Sequence, residues 1–506
     1  MSRTENHIEI DWIKRWALYA PAKTAIKSVE DGSELSYSGL NACVNRAAGI
    51  LRSDYGIQKG DRVAILSINS IEYVILFFAI QKLGAIMLPL NYRLAAPEIS
   101  YQLDDTDAKL LIYGEEFSET IQKIDHRPEH IVSFDGDDGL SVLFNEGGET
   151  QEIEHAGEFE DACMILYTSG TTGKPKGAVI TNKMLFWNSI NTGLRLNLTQ
   201  NDVTVTFAPF FHTGGWNVLT TPMLHRGATL LLMKKFDADK ILQLCDEEKV
   251  TILFGVPTMM DMMYQADSFK SSSLESVRYA IVGGEPMPVN LIEIWQDKGV
   301  PVRQGYGLTE FGPNVFSLNE DDSVRKIGSI GFPNFYIDTR VVDDNGEDVT
   351  QGEPGELILR GPVRMKEYWN NPEETKKAIK DDWVYTGDIV RVDEEGYFYV
   401  IDRKKEMFIS GAENVYPAEV EHTFRKHPAV WDIAVIGVPD KKWGESGKAF
   451  IVLEKGESAT PEELIEWGYS QLAKYKVPKH YEFLNELPKS DSGKILKRKL
   501  RDTEKS

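Results

Sequence analysis

The chain reads as an α/β large N-terminal domain, built of two α/β subdomains and a β subdomain, with a smaller α+β C-terminal domain. Three observations predict this. Short apolar runs alternate with helix-length stretches over residues 61–304. From about Lys326 the texture changes to short alternating strands with turn residues, and after YFYVIDRKKE (397–406) a compact unit mixes both element types. With 506 residues, the chain is also too long for a single hydrophobic core.

The elements follow in order. VAILS (63–67) leads into the helix-length SIEYVILFFAIQKLG (70–84), then AIMLPL (85–90), APEISYQLDDT (96–106) and AKLLIY (108–113), a β-α-β-α-β series. Its densest apolar run, VILFFAI (74–80), is far too short to span a bilayer. Residues 203–304 repeat the scheme with VTVTFAPF, ATLLLM, DADKILQLCDEEKV, TILFGV and RYAIVGG. TRVVDDNGEDVTQGEPGELILRG has the alternation and turn residues of antiparallel β structure. The last unit contains PAEVEHTFRKH, DIAVIGVP, KAFIVL and the basic end KILKRKLR, with a charged, exposed hinge expected near 402–406.

Composition narrows the function. Hydrophobic content of 42% and charged content of 26% are those of a soluble globular protein. A formal net charge of −22 opposes nonspecific binding to nucleic acid or anionic membranes, so no nucleic-acid partner is expected. Cys43, Cys163 and Cys245 are scattered without CxxC spacing, which points away from zinc and disulfides and toward the cytoplasm. The charged N-terminus lacks a signal-peptide core, and RDTEKS at the other end is not a peroxisomal address.

The chemistry begins at ILYTSGTTGKPKGAVIT (165–181), where an apolar run empties into glycines, hydroxyls and lysines. Glycine lets backbone N–H groups converge on an anion, hydroxyls add donors, and Lys174 and Lys176 add charge. A Walker A loop needs four residues between its glycines, and only Thr171 and Thr172 separate Gly170 from Gly173. YTSGTTGKPKG (167–177) instead resembles the signature loop of the adenylate-forming superfamily: acyl-CoA synthetases, luciferases and peptide-synthetase adenylation domains. Further family motifs follow in order along nearly the whole chain.

That resemblance implies roles, residue by residue. Thr168, Ser169, Gly170, Thr171, Thr172, Gly173 and Lys176 are expected to cradle the phosphates of ATP. GYGLTEFG (305–312) implies that Gly305, Tyr306 and Gly307 lie by the adenine, that Thr309 contacts the α-phosphate and that Glu310 coordinates Mg²⁺. A glutamate beside a phosphate makes sense only with a cation between them. VGGEPMP (282–288) implies that Gly284, Glu285 and Pro286 pack along the adenine. In VYTGDIV (384–390), Asp388 would accept hydrogen bonds from the ribose hydroxyls, a role suited to an acceptor-only carboxylate. Arg403 stands at the family's domain junction, with Lys405 at the hinge. Domains are accordingly expected at 1–402, binding ATP and acid, and at 403–506, a mobile lid.

PKSDSGKILKRKL (488–500) resembles the family's C-terminal motif and makes Lys494 the catalytic lysine. An ammonium bridging carboxylate and phosphate offsets the repulsion between two reacting anions. Lys497, Arg498, Lys499 and Arg501 read as a plain basic tail on a helix. In the family's second half-reaction, SGAEN (410–414) and particularly Gly411 line a tunnel for the pantetheine thiol. Trp443 and Gly444 resemble a segment near coenzyme A.

FAPFFHTGG (207–215) corresponds to the family's acid site, with His212 at the pocket mouth. It contains no acidic residue, which disfavours an amino-acid substrate. The methionines at 259, 260, 262 and 263 suit an apolar pocket but suit helix packing better. The expected activity is therefore an acid–CoA ligase using ATP, Mg²⁺ and coenzyme A, with a medium- or long-chain fatty acid as substrate. The alternatives are an aryl acid of the benzoate, coumarate or succinylbenzoate type, or acyl loading of a carrier protein in trans. A catalytically dead nucleotide-binding regulator is disfavoured, because Glu310, Asp388 and Lys494 are all present. Peripheral membrane contact and a homodimer are compatible with this reading.

Overall fold

The computed structural model describes residues 8–134, 151–168, 175–284, 287–404, 406–410, 413–440, 443–472, 474–489 and 495–504. The chain divides into two compact units. One comprises Met1–Ile327, Pro333–Asp338 and Leu359–Val384, the other Gly328–Phe332, Thr339–Ile358 and Tyr385–Ser506. Residues 402–406 fall within the second.

In the first unit, a six-stranded sheet has the order His130–Ser133, Leu110–Tyr113, Arg62–Leu66, Ile86–Pro89, Ala162–Thr168, Lys176–Thr181. Its pairs are parallel until the last, which is antiparallel. Its central strands are continuously apolar because both faces are covered. The helix Ile71–Lys82 starts at Ser70, whose hydroxyl accepts from the Tyr73 N–H at 3.2 Å. It is buried on all sides from Tyr73 to Lys82, which explains why VILFFAI has no polar face. At its end the buried Lys82 ammonium lies 2.8 Å from Asp11 and 3.0 Å from Asn45 Oδ1, a pairing that makes its burial tolerable. No helix among the described residues is long and apolar enough to cross a membrane.

The second sheet runs Glu34–Ser36, Thr24–Ser28, Thr229–Leu232, Val203–Thr206, Ile252–Gly255, Tyr279–Val282, Val302–Leu308. From Thr24–Ser28 onward the pairs are parallel. The first-unit prediction of two α/β layers thus holds, with one addition. The N-terminal strand Thr24–Ser28 joins the distant second sheet, which nothing in the five residues TAIKS discloses. Met260 and Met263 are fully buried with Ile241 and Trp295, whereas Met262 is exposed, so helix packing accounts for this cluster. Parallel strands carry their C-terminal ends to one edge, and the segments after Thr206, Gly255 and Val282 all leave from it, the place where open α/β sheets hold ligands.

The second unit opens with antiparallel β structure: Trp383–Val392 against Phe398–Arg403, which also pairs with Ser329–Pro333. A long hairpin follows, Val430–Asp440 with Gly444–Leu453, flanked by Phe408–Ser410 and by the parallel strand His480–Phe483. Strand alternation gives the hairpin two apolar faces. Ile433, Val435 and Ile451 pack with Phe424 and Leu464 of the helices Pro417–Phe424 and Pro461–Gln471. Ala434, Ile436 and Phe450 pack with Leu487 and with Leu500 of the helix Lys497–Thr503.

Candidate active site

The glycine-rich segment joins two antiparallel strands whose last paired residues are Thr168 and Lys176, so the strand Ala162–Thr168 ends where the sequence predicts the turn to begin. Ser169, Gly170, Thr171, Thr172 and Gly173, with Lys174, lie outside the described residues. At the loop base, the Thr168 hydroxyl donates to the Lys176 carbonyl at 3.5 Å. The Lys176 ammonium pairs with Glu374 and lies 5.2 Å from the centre of the Tyr368 ring. Glu374 also takes Lys377 at 2.6 Å, and Lys176 first, then Lys377, hold its carboxyl below the usual range.

Thr309 and Glu310 occupy the tip of a hairpin. Leu308 pairs with Gly312, leaving Thr309–Phe311 as a single tight turn. Gly312 has φ 82 and ψ 153, a conformation that other residues do not adopt without strain. A side chain at Gly307 would collide with the Pro313 backbone, so this glycine is demanded by the return strand. The Glu310 carboxylate accepts from the Tyr368 hydroxyl at 2.7 Å, and its carbonyl accepts from the Met365 N–H at 2.8 Å. Residues 366–369 then zip onto the strand Lys176–Thr181, with Trp369 N–H donating to the Gly177 carbonyl at 2.7 Å and Val179 N–H to the Glu367 carbonyl at 2.9 Å.

Tyr368 therefore touches both the base of the glycine-rich loop and the carboxylate at the hairpin tip. Sequence reasoning missed it and Glu374. Their stretch PVRMKEYWNNPEET carries no regular spacing, and only its mixture of aromatic and acidic residues sets it apart. The half-buried Glu310 is a hard oxygen donor held by one protein hydroxyl, which fits a cation of the Mg²⁺ type. No group of three or more His, Cys, Asp or Glu able to hold a metal occurs among the described residues.

The neighbouring strand ends complete this part. A side chain at Gly283 would lie 3.5 Å from the Gly305 carbonyl oxygen, so the VGG and GYG backbones run close together. Gly284 adopts φ +88, and Glu285 and Pro286 lie outside the described residues. His212 is half-buried, its N–H donating to the Pro209 carbonyl at 3.1 Å and its ring 4.4 Å from Phe211. It precedes a π-helical turn, Gly214–Val218. Side-chain amides meet the carbonyls of this turn. Asn188 Nδ2 donates to the Asn217 carbonyl at 2.7 Å, and Asn314 Nδ2 reaches both Asn217 and Val218 carbonyls at 3.1 Å. Trp216 is wholly buried against Phe210, ring centres 4.2 Å apart. Gly214 and Gly215 line a cavity of about 10 Å³ with Phe207, Ala208 and Phe254. Its walls carry no carboxylate.

In the second unit, Asp388 and Arg403 face each other on paired strands, Arg403 Nε 2.5 Å from Asp388 Oδ1. Asp388 is buried, its N–H donating to the Thr386 hydroxyl at 3.0 Å, and Gly387 before it has φ +70. Lys404 pairs with Glu356 at 3.1 Å and Asp344 at 2.7 Å. Lys405, Gly411 and Lys494 lie outside the described residues. The flanks of the Lys494 segment are described: Lys489 and Ile495 form a β-bridge, and Leu496 N–H donates to the Pro488 carbonyl at 2.7 Å. Lys479 Nζ lies 4.4 Å over the Trp443 ring.

Two expectations are corrected here. The 402–406 stretch is not uniformly exposed: Asp402 is buried and accepts from Arg403 N–H at 2.6 Å and Ala418 N–H at 2.8 Å. Nor is Lys497 a solvated tail residue. It is 9% exposed, 2.8 Å from Glu421 and 3.3 Å from Glu406, because the apolar Ile495 and Leu500 around it pin the helix to the hairpin sheet. Arg498 does remain exposed.

Known proteins resemble the chain over nearly its whole length. Residues 13–369 match the AMP-binding enzyme family and residues 419–494 the AMP-binding enzyme C-terminal domain. The chain is 39% identical over 495 residues to a feruloyl-CoA synthase of Amycolatopsis sp., covering 97% of this chain and 98% of that one. It is also 39% identical over 500 residues to the long-chain-fatty-acid–CoA ligase FadD13 of Mycobacterium tuberculosis, with the same coverage. Among solved structures, the o-succinylbenzoate coenzyme A synthetase of Bacillus subtilis in complex with ATP and magnesium superposes with TM-score 0.85 at 32% identity, over 97% of this chain and 99% of that one.

Proposed function

The chain belongs to the AMP-binding enzyme family, and we propose that it is an ATP- and Mg²⁺-dependent acid–CoA ligase. An oxygen of the acid carboxylate attacks the α-phosphorus of ATP, the bond to pyrophosphate breaks, and acyl-AMP forms. The thiolate of coenzyme A then attacks the acyl carbon and AMP leaves. The observation that carries this reading is Tyr368 joining Lys176 at the loop base to Glu310 at the hairpin tip, which gathers a phosphate-binding loop and a cation-binding carboxylate in one place.

Residue roles follow from chemistry. Residues 168–173 and Lys176 hold the phosphates through backbone N–H groups, hydroxyls and charge. Thr309 donates to the α-phosphate, and Glu310 holds Mg²⁺, which when bound supplies positive charge against the phosphate oxygens. Gly284, Glu285, Pro286, Gly305, Tyr306 and Gly307 flank the adenine. Asp388 accepts from the ribose hydroxyls while Arg403 fixes its orientation. Lys494 offsets the repulsion between carboxylate and phosphate, an effect typically of about 2.7–4 kcal/mol. Residues 403–506 act as the lid, with Lys405 at its hinge and Gly411 leaving room for the pantetheine arm. His212 orients the acid.

An α-amino acid is disfavoured, since FAPFFHTGG (207–215) carries no acidic residue to pair with an ammonium. A medium- or long-chain fatty acid is the first reading, supported by the likeness to a fatty-acid ligase. An aryl acid is the second, supported by the equal identity to a feruloyl-CoA synthase. Pyrophosphate release with octanoate, palmitate, ferulate and succinylbenzoate separates them. Release with none of these would overturn the ligase assignment. Lys494→Ala should abolish adenylation while thioester formation from supplied acyl-AMP survives, and Gly411→Trp should do the reverse.

A further inference from the structure

We propose that Lys497 is a positioning residue. From within the second unit it ties the bridge Lys489–Ile495, which flanks the segment containing Lys494, to the turn that follows Arg403. The proposal rests on the reading of Lys494 given above.

Lys497 is the first residue of the helix Lys497–Thr503, and carboxylates from two other segments converge on it. Glu406 comes from the turn closed by its own N–H donating to the Arg403 carbonyl at 2.8 Å. Glu421 comes from the helix Pro417–Phe424, and the oxygen that meets Lys497 also accepts from Val435 N–H at 2.6 Å, fixing it to the central sheet. Asp402 holds the first turn of that helix through Ala418 N–H. Burial works to discharge the lysine, but Glu421, Asp402 and Glu406 outweigh it and hold the ammonium above its ordinary value. The charge is thus present throughout the neutral range.

Such an arrangement is poorly explained by stability alone. An apolar cluster of the same volume would avoid desolvating four charged groups and commonly serves folding as well or better. What charge supplies instead is register: an ammonium among directed carboxylates has few acceptable positions. Register matters here because Lys497 follows the bridge Lys489–Ile495 that closes the Lys494 segment. At the other foot of that segment, the more exposed Lys489 Nζ lies 3.1 Å from Asp432. A catalytic cation displaced by about 1 Å can lose on the order of 10²-fold in rate.

The test compares Lys497→Met, Lys497→Arg and Glu406→Gln with wild type in the two half-reactions. Adenylation is read as acid-dependent pyrophosphate exchange, thioester formation as turnover of supplied acyl-AMP with coenzyme A. In Lys497→Met, the adenylation kcat should fall at least tenfold, with KM for ATP within twofold and the thioester step within threefold of wild type. Lys497→Arg should recover adenylation to within threefold. Should Lys497→Met not fold, Glu406→Gln, which removes only the partner on the turn, should still lower adenylation three- to tenfold at an unchanged unfolding midpoint. Wild-type adenylation in folded Lys497→Met, equal loss in both half-reactions, or an inert Glu406→Gln would each overturn the proposal. Failure of the underlying reading looks different: Lys494→Ala would then keep full adenylation.

Discussion

At the scale of single residues, the candidate site depends on one hydroxyl. Tyr368 is buried and donates to Glu310 while its ring carries the Lys176 ammonium. If Glu310 holds Mg²⁺ as proposed, Glu310→Gln removes the negative charge the cation requires, and adenylation should fall by about 10²–10³-fold. Tyr368→Phe leaves the carboxylate charged but less well held. A hydrogen bond to a charged group contributes about 1.5–3 kcal/mol, so adenylation should fall roughly ten- to a hundredfold, with a higher Mg²⁺ concentration needed for half-maximal rate. Titrating Mg²⁺ in both variants checks this, since an unchanged Mg²⁺ requirement in Tyr368→Phe would remove the tyrosine from the site. Asp388 and Arg403 were legible in the sequence from their motifs, and the structure sets them opposite each other. Tyr368 and Glu374 were not, because their contacts span a long stretch of chain and leave no periodic trace. Lys497 was misread for the opposite reason: it stands in a run of basic residues, and nothing in that run tells which one turns inward.

At the scale of elements, the parallel strands were legible because burial on both faces forces uninterrupted apolar runs, as in Arg62–Leu66 and Ile86–Pro89. The π-helical turn Gly214–Val218 was not. Its carbonyls are met by amides of Asn188 and Asn314, side chains far from it in sequence. Two adjacent glycines in this turn are expected to behave differently. A side chain at Gly215 would collide with the Pro209 carbonyl, which belongs to backbone that cannot swing aside. Gly215→Ala should therefore destabilise the protein by about 1–3 kcal/mol. A side chain at Gly214 would only reach ordinary contact with Phe254, at 3.8 Å. Gly214→Ala should fold normally and, if residues 207–215 hold the acid as proposed, raise KM for the acid but not for ATP. Thermal unfolding together with acid and ATP titrations distinguishes the two, and equal unfolding midpoints for both variants would contradict the assignment.

At the scale of the whole molecule, stability responds to pH through groups of opposite sign. Glu374, held low by Lys176 and then Lys377, contributes stability that is present above the ordinary carboxylate range and lost as pH falls. Asp402 acts the other way. Burial pushes its carboxyl up to about 6, against the lowering effect of Lys497 and of the Ala418 and Arg403 N–H groups, with Glu421 reinforcing the rise. The folded protein therefore holds that proton more tightly than the unfolded chain does. The contribution is fully present below the unfolded value and is lost as pH rises through about 6, a change on the order of 3 kcal/mol. A formal net charge of −22 at neutral pH adds a general self-repulsion that also varies with pH, so only a difference between variant and wild type isolates this group. Asp402→Asn gives up acceptor capacity toward two backbone N–H groups and should be destabilised at every pH. Between pH 4 and 7, however, its unfolding midpoint should draw closer to that of wild type as the wild-type carboxyl becomes charged and the amide does not. A gap that stays constant across this range would mean that the Asp402 carboxyl ionises at the same pH in the folded and unfolded chains. Burial of Asp402 would then have to be offset by its hydrogen bonds and Lys497 alone.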